Sequence, residues 1–283
     1  MKLSVVIPAR NESAALPAVL SRLAERFPEA ELIVVDDGSD DDTAAVAERH
    51  GARVIAHLYS RGNGAAVKSG ARAATGEAIA FMDGDGQHRV RDLPALIDRF
   101  EQGYDLVVGA RQGLESQTGF LRWSANGIYN RLASWMVGHA IRDLTSGMRV
   151  VKRDRFLEFL YLLPNGFSYP TTSTMAFYRA GYAVAFVPIG CDRRVGRSHL
   201  NIWREGLRFL LIIFKIGTLY SPLKLFLPIA LSIFATGLAY YLYTYLNFGR
   251  FTNMSLLLFV SSVIVFLIGL LSEQISNLMY RGD

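Results

Sequence analysis

Ala78-Ile79-Ala80-Phe81-Met82-Asp83-Gly84-Asp85-Gly86-Gln87 is an apolar run, Ala78–Met82, that breaks into a polar, glycine-rich turn. A short run bounded by turn residues predicts a buried strand. In extended backbone, residues two apart point the same way, so Asp83, Asp85 and Gln87 are expected to converge on one side. Two carboxylates and an amide oxygen form a hard, all-oxygen donor set suited to Mg2+ or Mn2+, with phosphate completing the shell. Asp-Gly pairs are also common turn formers, and that plainer reading stands beside the first. His88 reads as a loop residue.

The same pattern recurs on either side. Leu3–Ile7, Leu32–Val35, Arg53–Ala56 and Leu106–Gly109 read as further strands. Helical patterns lie between them at about Ser13–Arg26, Ser39–Gly51, Asn63–Ala74 and Asp92–Glu101. Alternating strands and helices predict an α/β fold with a mostly parallel sheet covered on both faces, which takes its ligands at the carboxyl ends of the strands. Two more polar segments fall at such ends. Pro8-Ala9-Arg10-Asn11-Glu12 leaves the first strand, and Asp36-Asp37-Gly38-Ser39 leaves the second. Carboxylates there can accept hydrogen bonds from ribose hydroxyls or a base N–H. The alternative is a helix capped by Ser39, with Asp40, Asp41 and Asp42 in its first turn. Arg61–Ser69 is glycine-rich but is no Walker loop, because Val67 stands where glycine must precede Lys68. Its glycines read as places of close helix packing.

The 283-residue chain carries a net charge of +5. Its basic residues form no long run with interleaved aromatics, which argues against nucleic acid as a partner. Arg193, Arg194, Arg197, Arg204, Arg208, Lys215 and Lys224 gather instead just before an apolar tail, a placement suited to anionic lipid headgroups and a phosphorylated ligand. The single cysteine, Cys191, excludes an internal disulfide and a cysteine metal cluster. The N-terminal apolar stretch is too short for a signal peptide, so the globular part is expected in the cytoplasm. Leu225–Phe248 and Phe251–Ser272 hold no charged residue. About 24 residues of helix reach roughly 36 Å, enough to cross ~30 Å of hydrocarbon. Lysines and arginines before the first span place both chain ends on the cytoplasmic side. A buried helical hairpin in a soluble protein is the competing reading. Within Asn201–Tyr220, Arg204, Arg208 and Lys215 share one helical face, and Trp203, Leu207, Leu210, Leu211 and Phe214 cover the rest. That fits a helix lying in the membrane interface, or one packed on the globular domain. The expected domains are 1–200, an interface helix at 201–222 and two spans at 223–283.

Taken in order, Val6–Glu12, Val34–Thr43, Phe81–His88, Val107–Arg111, Asp143–Asp154 and Arg193–His199 resemble the family 2 glycosyltransferases of the GT-A fold, and within them the polyprenyl-phosphate hexosyltransferases, the group of dolichyl-phosphate mannose synthase. The resemblance covers nearly the whole chain. It implies a Rossmann-like catalytic domain in which Pro8, Ala9, Glu12 and Asp37 hold the nucleoside. Asp83, Asp85 and Gln87 would hold Mg2+ or Mn2+ and the diphosphate, with Arg194 reaching the same diphosphate. Arg111, with Arg122, would meet a lipid phosphate. Departures exist. His199 stands where relatives often have lysine, and Gly166–Thr172 lacks an acidic residue frequent in dolichol-type relatives. Gly119 replaces the glutamine of the Q-x-x-R-W signature, which argues against polymer synthesis.

The resemblance implies an inverting transfer of a hexose from a nucleotide-diphosphate sugar, of UDP-glucose or GDP-mannose type with a lean towards the former, to polyprenyl phosphate at the cytoplasmic membrane. A phosphate monoester is already anionic at pH 7, so its attack needs no general base. Asp143 reads either as a carboxylate on the acceptor side or as a loop contact before Thr145-Ser146. A homo-oligomer is compatible with the sequence. Two rivals stand beside this reading: transfer to a soluble sugar or protein hydroxyl, and a non-catalytic nucleotide-sugar-binding membrane subunit.

Overall fold

The computed structural model describes residues 1–111, 120–166, 169–190 and 220–279, with Phe214, Gly217 and Thr218 besides. The side chains of residues 120–126, 128 and 279 lie outside that description. The chain divides into two compact units, Met1–His199 and Leu200–Asp283.

Among the described residues the first unit contains seven strands: β1 (Leu3–Ala9), β2 (Glu31–Asp36), β3 (Arg53–Ala56), β4 (Ala78–Phe81), β5 (Leu106–Arg111), β6 (Arg149–Lys152) and β7 (Val184–Ile189). They form one sheet in the order β3-β2-β1-β4-β6-β5-β7. Every pairing is parallel except those of β6, which runs against both β4 and β5. β1 is buried along its whole length, as a strand covered on both faces must be. Its Pro8 is tolerated for a local reason. The Val6 carbonyl accepts from Met82 N on the β4 side, and Pro8, two residues on, faces that side where β4 has ended. No ladder bond needs its missing N–H.

Helices α1 (Leu16–Arg26), α2 (Thr43–Arg49), α3 (Asn63–Ala73), α4 (Leu93–Glu101), α5 (Phe120–Val137), α6 (Arg153–Glu158) and α7 (Tyr169–Arg179) connect or flank the strands. α1 buries Leu16, Val19, Leu20 and Leu23, spaced as one helical stripe. Each such side chain contributes about 1.5–3 kcal/mol when fully buried. α3 sits tightly on the sheet at Gly70, where an added Cβ would lie 2.2 Å from Val6 Cγ1. Gly64 has the same role against the 164–166 loop, since its Cβ would lie 2.1 Å from the Pro164 carbonyl oxygen. The expectation that the glycines of Arg61–Ser69 serve close packing therefore holds at Gly64.

Two sequence expectations change. The second helix begins at Thr43, not Ser39. Asp41 takes Thr43 N at 3.0 Å and Ser13 N at 3.2 Å, so the acidic stretch is spent tying the two loops together. Ser39 does not cap the helix; it donates its N–H to Asp36 Oδ1 at 3.1 Å and accepts from Asn11 N at 2.9 Å. β4 also ends at Phe81, and residues 84–86 form a turn with Gly86 at φ +73°. Pleat alternation therefore cannot be what aligns Asp83, Asp85 and Gln87.

In the second unit, α8 (Pro222–Phe248) and α9 (Asn253–Met279) form an antiparallel hairpin. Gly249, at φ +61°, ends α8 and returns its N–H to the Tyr245 carbonyl at 2.8 Å. The helices approach at small residues: a Cβ on Gly237 would lie 3.0 Å from Leu258 Cβ, and one on Gly269 2.6 Å from Phe226 Cβ. α9 continues past the uncharged stretch that ends at Ser272, and Glu273 in that extension accepts Leu223 N at 3.2 Å, satisfying a donor of the first turn of α8. Both helices are long and apolar enough to cross a membrane, and only 11% and 17% of their most apolar windows are buried. A hairpin serving as the core of a soluble protein would be mostly buried. Most of the expected 201–222 interface helix lies outside the described residues.

Candidate active site

The polar segments picked out by sequence stand at the carboxyl ends of β1, β2, β4 and β5, on one edge of the sheet. On the β1–β2 side, Pro8 and Ala9 are buried at the strand end, and Ala9 O receives Asp37 N at 2.9 Å. Glu12 N donates to Thr43 Oγ1 at 2.9 Å. Asp37 is almost fully buried and accepts four hydrogen bonds: His57 Nδ1 at 2.7 Å, Ser60 Oγ at 2.8 Å, Arg61 N at 2.9 Å and Gly62 N at 2.8 Å. His57 is held in turn by Ser69 at 2.9 Å. Burial would raise the Asp37 pKa, but these four donors outweigh it and hold the carboxyl below its usual range. A carboxylate has about four lone-pair sites, so the 57–62 loop consumes all of them. Asp37 thus organises the wall of this side rather than presenting open oxygens. Gly38 makes the loop's approach possible, since a Cβ there would lie 2.6 Å from Ser60 N.

At the end of β4, Asp85 Oδ1 accepts Gln87 N at 3.0 Å within the turn. Asp83 N donates to His88 Nδ1 at 3.3 Å, and buried His88 thereby supports the turn from below. The Asp83 carboxylate rests on Gly147, where a Cβ would lie 2.6 Å from Asp83 Oδ2. Among the described residues no three His, Cys, Asp or Glu side chains gather as a ready-made metal cage. The donor chemistry still fits Mg2+ or Mn2+. Such ions are commonly held by one or two carboxylates plus substrate phosphates, and the Asp83–Asp85 turn offers two hard carboxylates at a ligand edge.

At the end of β5, Arg111 is clamped by Asp143. Nε donates to Oδ2 at 2.7 Å and Nη2 to Oδ1 at 2.9 Å, a bidentate pair, and Nη2 also reaches Thr145 Oγ1 at 2.6 Å. Burial would raise the Asp143 pKa, but the Arg111 hydrogen bonds and charge, with Thr145 N, hold it below the usual carboxylate range. Asp143 is therefore the partner of Arg111, and it also makes the loop contact that the sequence offered, accepting Thr145 N at 3.1 Å. Arg122 lies on α5, but its side chain is outside the described residues, as are Arg194 and His199.

The sequence reading missed one functional candidate beneath the edge. Arg149, on β6, is fully buried. It donates to Pro170 O at 3.0 Å and Ser173 Oγ at 2.7 Å, and also to the Ser146 carbonyl. The signal was available as a lone arginine in the apolar run Met148–Val151.

The profile described as Glycosyl transferase family 2 matches residues 4–159, and that of the GtrB C-terminal hairpin matches 221–278. A dolichyl-phosphate hexose transferase of Haloferax volcanii is 32% identical over 206 residues, 72% of this chain and 89% of that protein. An undecaprenyl-phosphate 4-deoxy-4-formamido-L-arabinose transferase of Klebsiella pneumoniae is 35% identical over 162 residues, 54% of this chain and 49% of that one. The fold is also that of the glucosyl-3-phosphoglycerate synthase of Mycobacterium tuberculosis, solved with Mn2+, UDP and phosphoglyceric acid. That likeness has a TM-score of 0.60 at 24% identity, over 76% of this chain and 77% of the other.

Proposed function

The chain belongs to the family 2 glycosyl transferases, and from that premise we propose that it moves a hexose, with inversion, from a nucleotide-diphosphate sugar to a polyprenyl phosphate at the cytoplasmic membrane. One observation carries the choice of acceptor. The transferase domain is joined to a hairpin of two membrane-length helices that matches the GtrB C-terminal hairpin. An acceptor confined to the bilayer calls for such an anchor, because local concentration and orientation replace diffusion from solution. The name of the Haloferax relative points to the same acceptor class. The lysines and arginines ahead of the first span support a catalytic domain on the cytoplasmic side.

In this reading Pro8, Ala9 and Glu12 border the nucleoside, and Asp37 holds the loop against it. Asp83, Asp85 and Gln87 would hold Mg2+ or Mn2+, whose charge would offset that of the donor diphosphate. Arg194 approaches the same diphosphate. The acceptor phosphate, with a second pKa near 6, arrives ionised and needs no base. Arg111 and Arg122 then align it for a single in-line displacement, and Asp143 fixes the plane of the Arg111 guanidinium.

A second reading, transfer to a soluble phosphorylated acceptor, is favoured by the likeness to a synthase solved with phosphoglyceric acid. The full-length protein in vesicles, given labelled UDP-glucose or GDP-mannose and Mn2+, separates the two. The label is expected in the lipid phase when polyprenyl phosphate is present, and EDTA should abolish it. Label entering phosphoglyceric acid and not lipid would defeat the membrane-acceptor reading.

A further inference from the structure

Arg149 is an expensive residue to bury. It is fully inaccessible, and among the described residues no carboxylate lies within ion-pair distance of it. Its contacts are neutral: the carbonyls of Pro170 and Ser146, the Ser173 hydroxyl, and the Tyr169 ring 5.6 Å away. Its Nε has no acceptor among the described residues, and neighbouring buried Ser146 Oγ has no partner either. A side chain kept only for stability would be better replaced by an apolar one of similar size, since a buried, incompletely satisfied charge costs free energy. Burial pulls the guanidinium below its ordinary pKa, and electrostatic interactions with Tyr169, Asp143 and Asp83 oppose that pull.

Its position suggests what the cost is for. In register, Arg149 lies opposite Phe81 of β4, two residues before Asp83, and opposite Val108 of β5, three residues before Arg111. It also anchors segment 143–149 through the Ser146 carbonyl. One end of that segment, Asp143, clamps Arg111. Near the other end, Gly147 is the surface on which the Asp83 carboxylate rests. Segment 143–149 therefore touches both sides of the site, Asp83 at Gly147 and Arg111 at Asp143.

We propose that Arg149 is a positioning residue, the buried anchor through which segment 143–149 sets Asp83 on the metal side and Arg111 on the acceptor side together. The proposal rests on the glycosyl-transfer reading above. It differs from a purely structural role in one respect: loosening the anchor must disturb metal binding and acceptor use in protein that is still folded.

The test uses the full-length protein in detergent or vesicles, with Arg149→Lys, Ser173→Ala and Gly147→Ala. Lysine keeps the charge but cannot fork to Ser146 and Pro170 at once. Ser173→Ala removes one anchor bond and leaves Arg149 in place, so it reports even if the lysine variant fails to fold. Mn2+ binding in the presence of UDP is read from the free-Mn2+ electron paramagnetic resonance signal, acceptor KM from transfer assays, and folding from the thermal midpoint. Arg149→Lys and Gly147→Ala are expected to weaken Mn2+ binding by about tenfold or more, the usual effect of disturbing a residue that orients a metal ligand. Arg149→Lys should also raise acceptor KM, and Ser173→Ala should move both in the same direction by less. Lowered thermal midpoints with unchanged Mn2+ binding and acceptor KM would overturn the proposal, as would unchanged Mn2+ binding in Gly147→Ala. Wild-type protein that neither binds Mn2+ with UDP nor transfers sugar would instead overturn the functional reading beneath it.

Discussion

Asp37 and Asp143 stand at two ends of one sheet edge, both nearly out of water and both with their carboxyls held below the usual range. They reach that state differently. Asp37 is caged by donors that are neutral or, in His57, only potentially charged, two of them backbone N–H groups of the 57–62 loop. Asp143 is held chiefly by one guanidinium, Arg111. The first arrangement shapes a loop without using a fixed cation. The second gives a fixed orientation to a cation that the proposed acceptor phosphate needs. Asp85, at the same edge, differs from both in being only half-buried in its turn.

That contrast is broken most severely by Asp85→Asn. Turnover should fall by about a hundred- to a thousandfold, as when one preorganised electrostatic group at the reacting centre is removed, while the thermal midpoint stays near wild type. Near-normal activity at saturating Mn2+ would remove Asp85 from the site. Arg111→Ala comes next. It should cost roughly 10- to 200-fold in acceptor use, the range for a charge-assisted contact, with donor affinity little changed. It should also destabilise the fold, because Asp143 is left buried without its partner. A loss mainly in nucleotide-sugar affinity would reverse the assignment of the two sides.

Asp37→Asn should have the smaller catalytic effect. An amide cannot accept from all four donors, so one or two are left unsatisfied at about 1–3 kcal/mol each. The expected signature is a lower thermal midpoint and a raised donor KM with kcat nearly intact. A fall in kcat alone would make Asp37 part of the chemistry. Acid gives the mildest test. A carboxyl whose folded pKa lies below its unfolded value of about 3.9 contributes stability that is full above that value and is lost as pH falls through the folded pKa. The stability difference between wild type and Asp143→Asn should therefore be level from about pH 5 to 7 and shrink below about pH 4. A difference that already narrows near neutrality would contradict the depressed Asp143 pKa.

How much of this was legible depended on sequence distance. The five strands read from apolar runs, 3–7, 32–35, 53–56, 78–82 and 106–109, all appear within a residue or two of their structural bounds. Each is a local signal: a β-branched or small apolar run closed by a turn. The start of α2 was misplaced because Asp41 bonds across to Ser13, a contact 28 residues away that propensity cannot register. The Asp83–Gln87 motif was found for its composition, while the geometry inferred for it assumed extended backbone where Gly86 makes a turn. Beyond Arg111 no strand was assigned. β6 carries a buried arginine within its apolar run, and its burial makes sense only beside Pro170 and Ser173.

Sequence by itself determined the alternating α/β order, the polar segments at the strand ends and the two apolar spans, because periodicity, turn chemistry and hydropathy act over a few residues. The reversal of β6 between β4 and β5, the clamp between Arg111 and Asp143 across 32 positions, the cage that takes up Asp37 and the burial of Arg149 were decided only in three dimensions. The physical reason is the same in each. A charged group's protonation and orientation depend on which donors, acceptors and low-dielectric surroundings the packed sheet brings to it, and none of these is set by its neighbours along the chain.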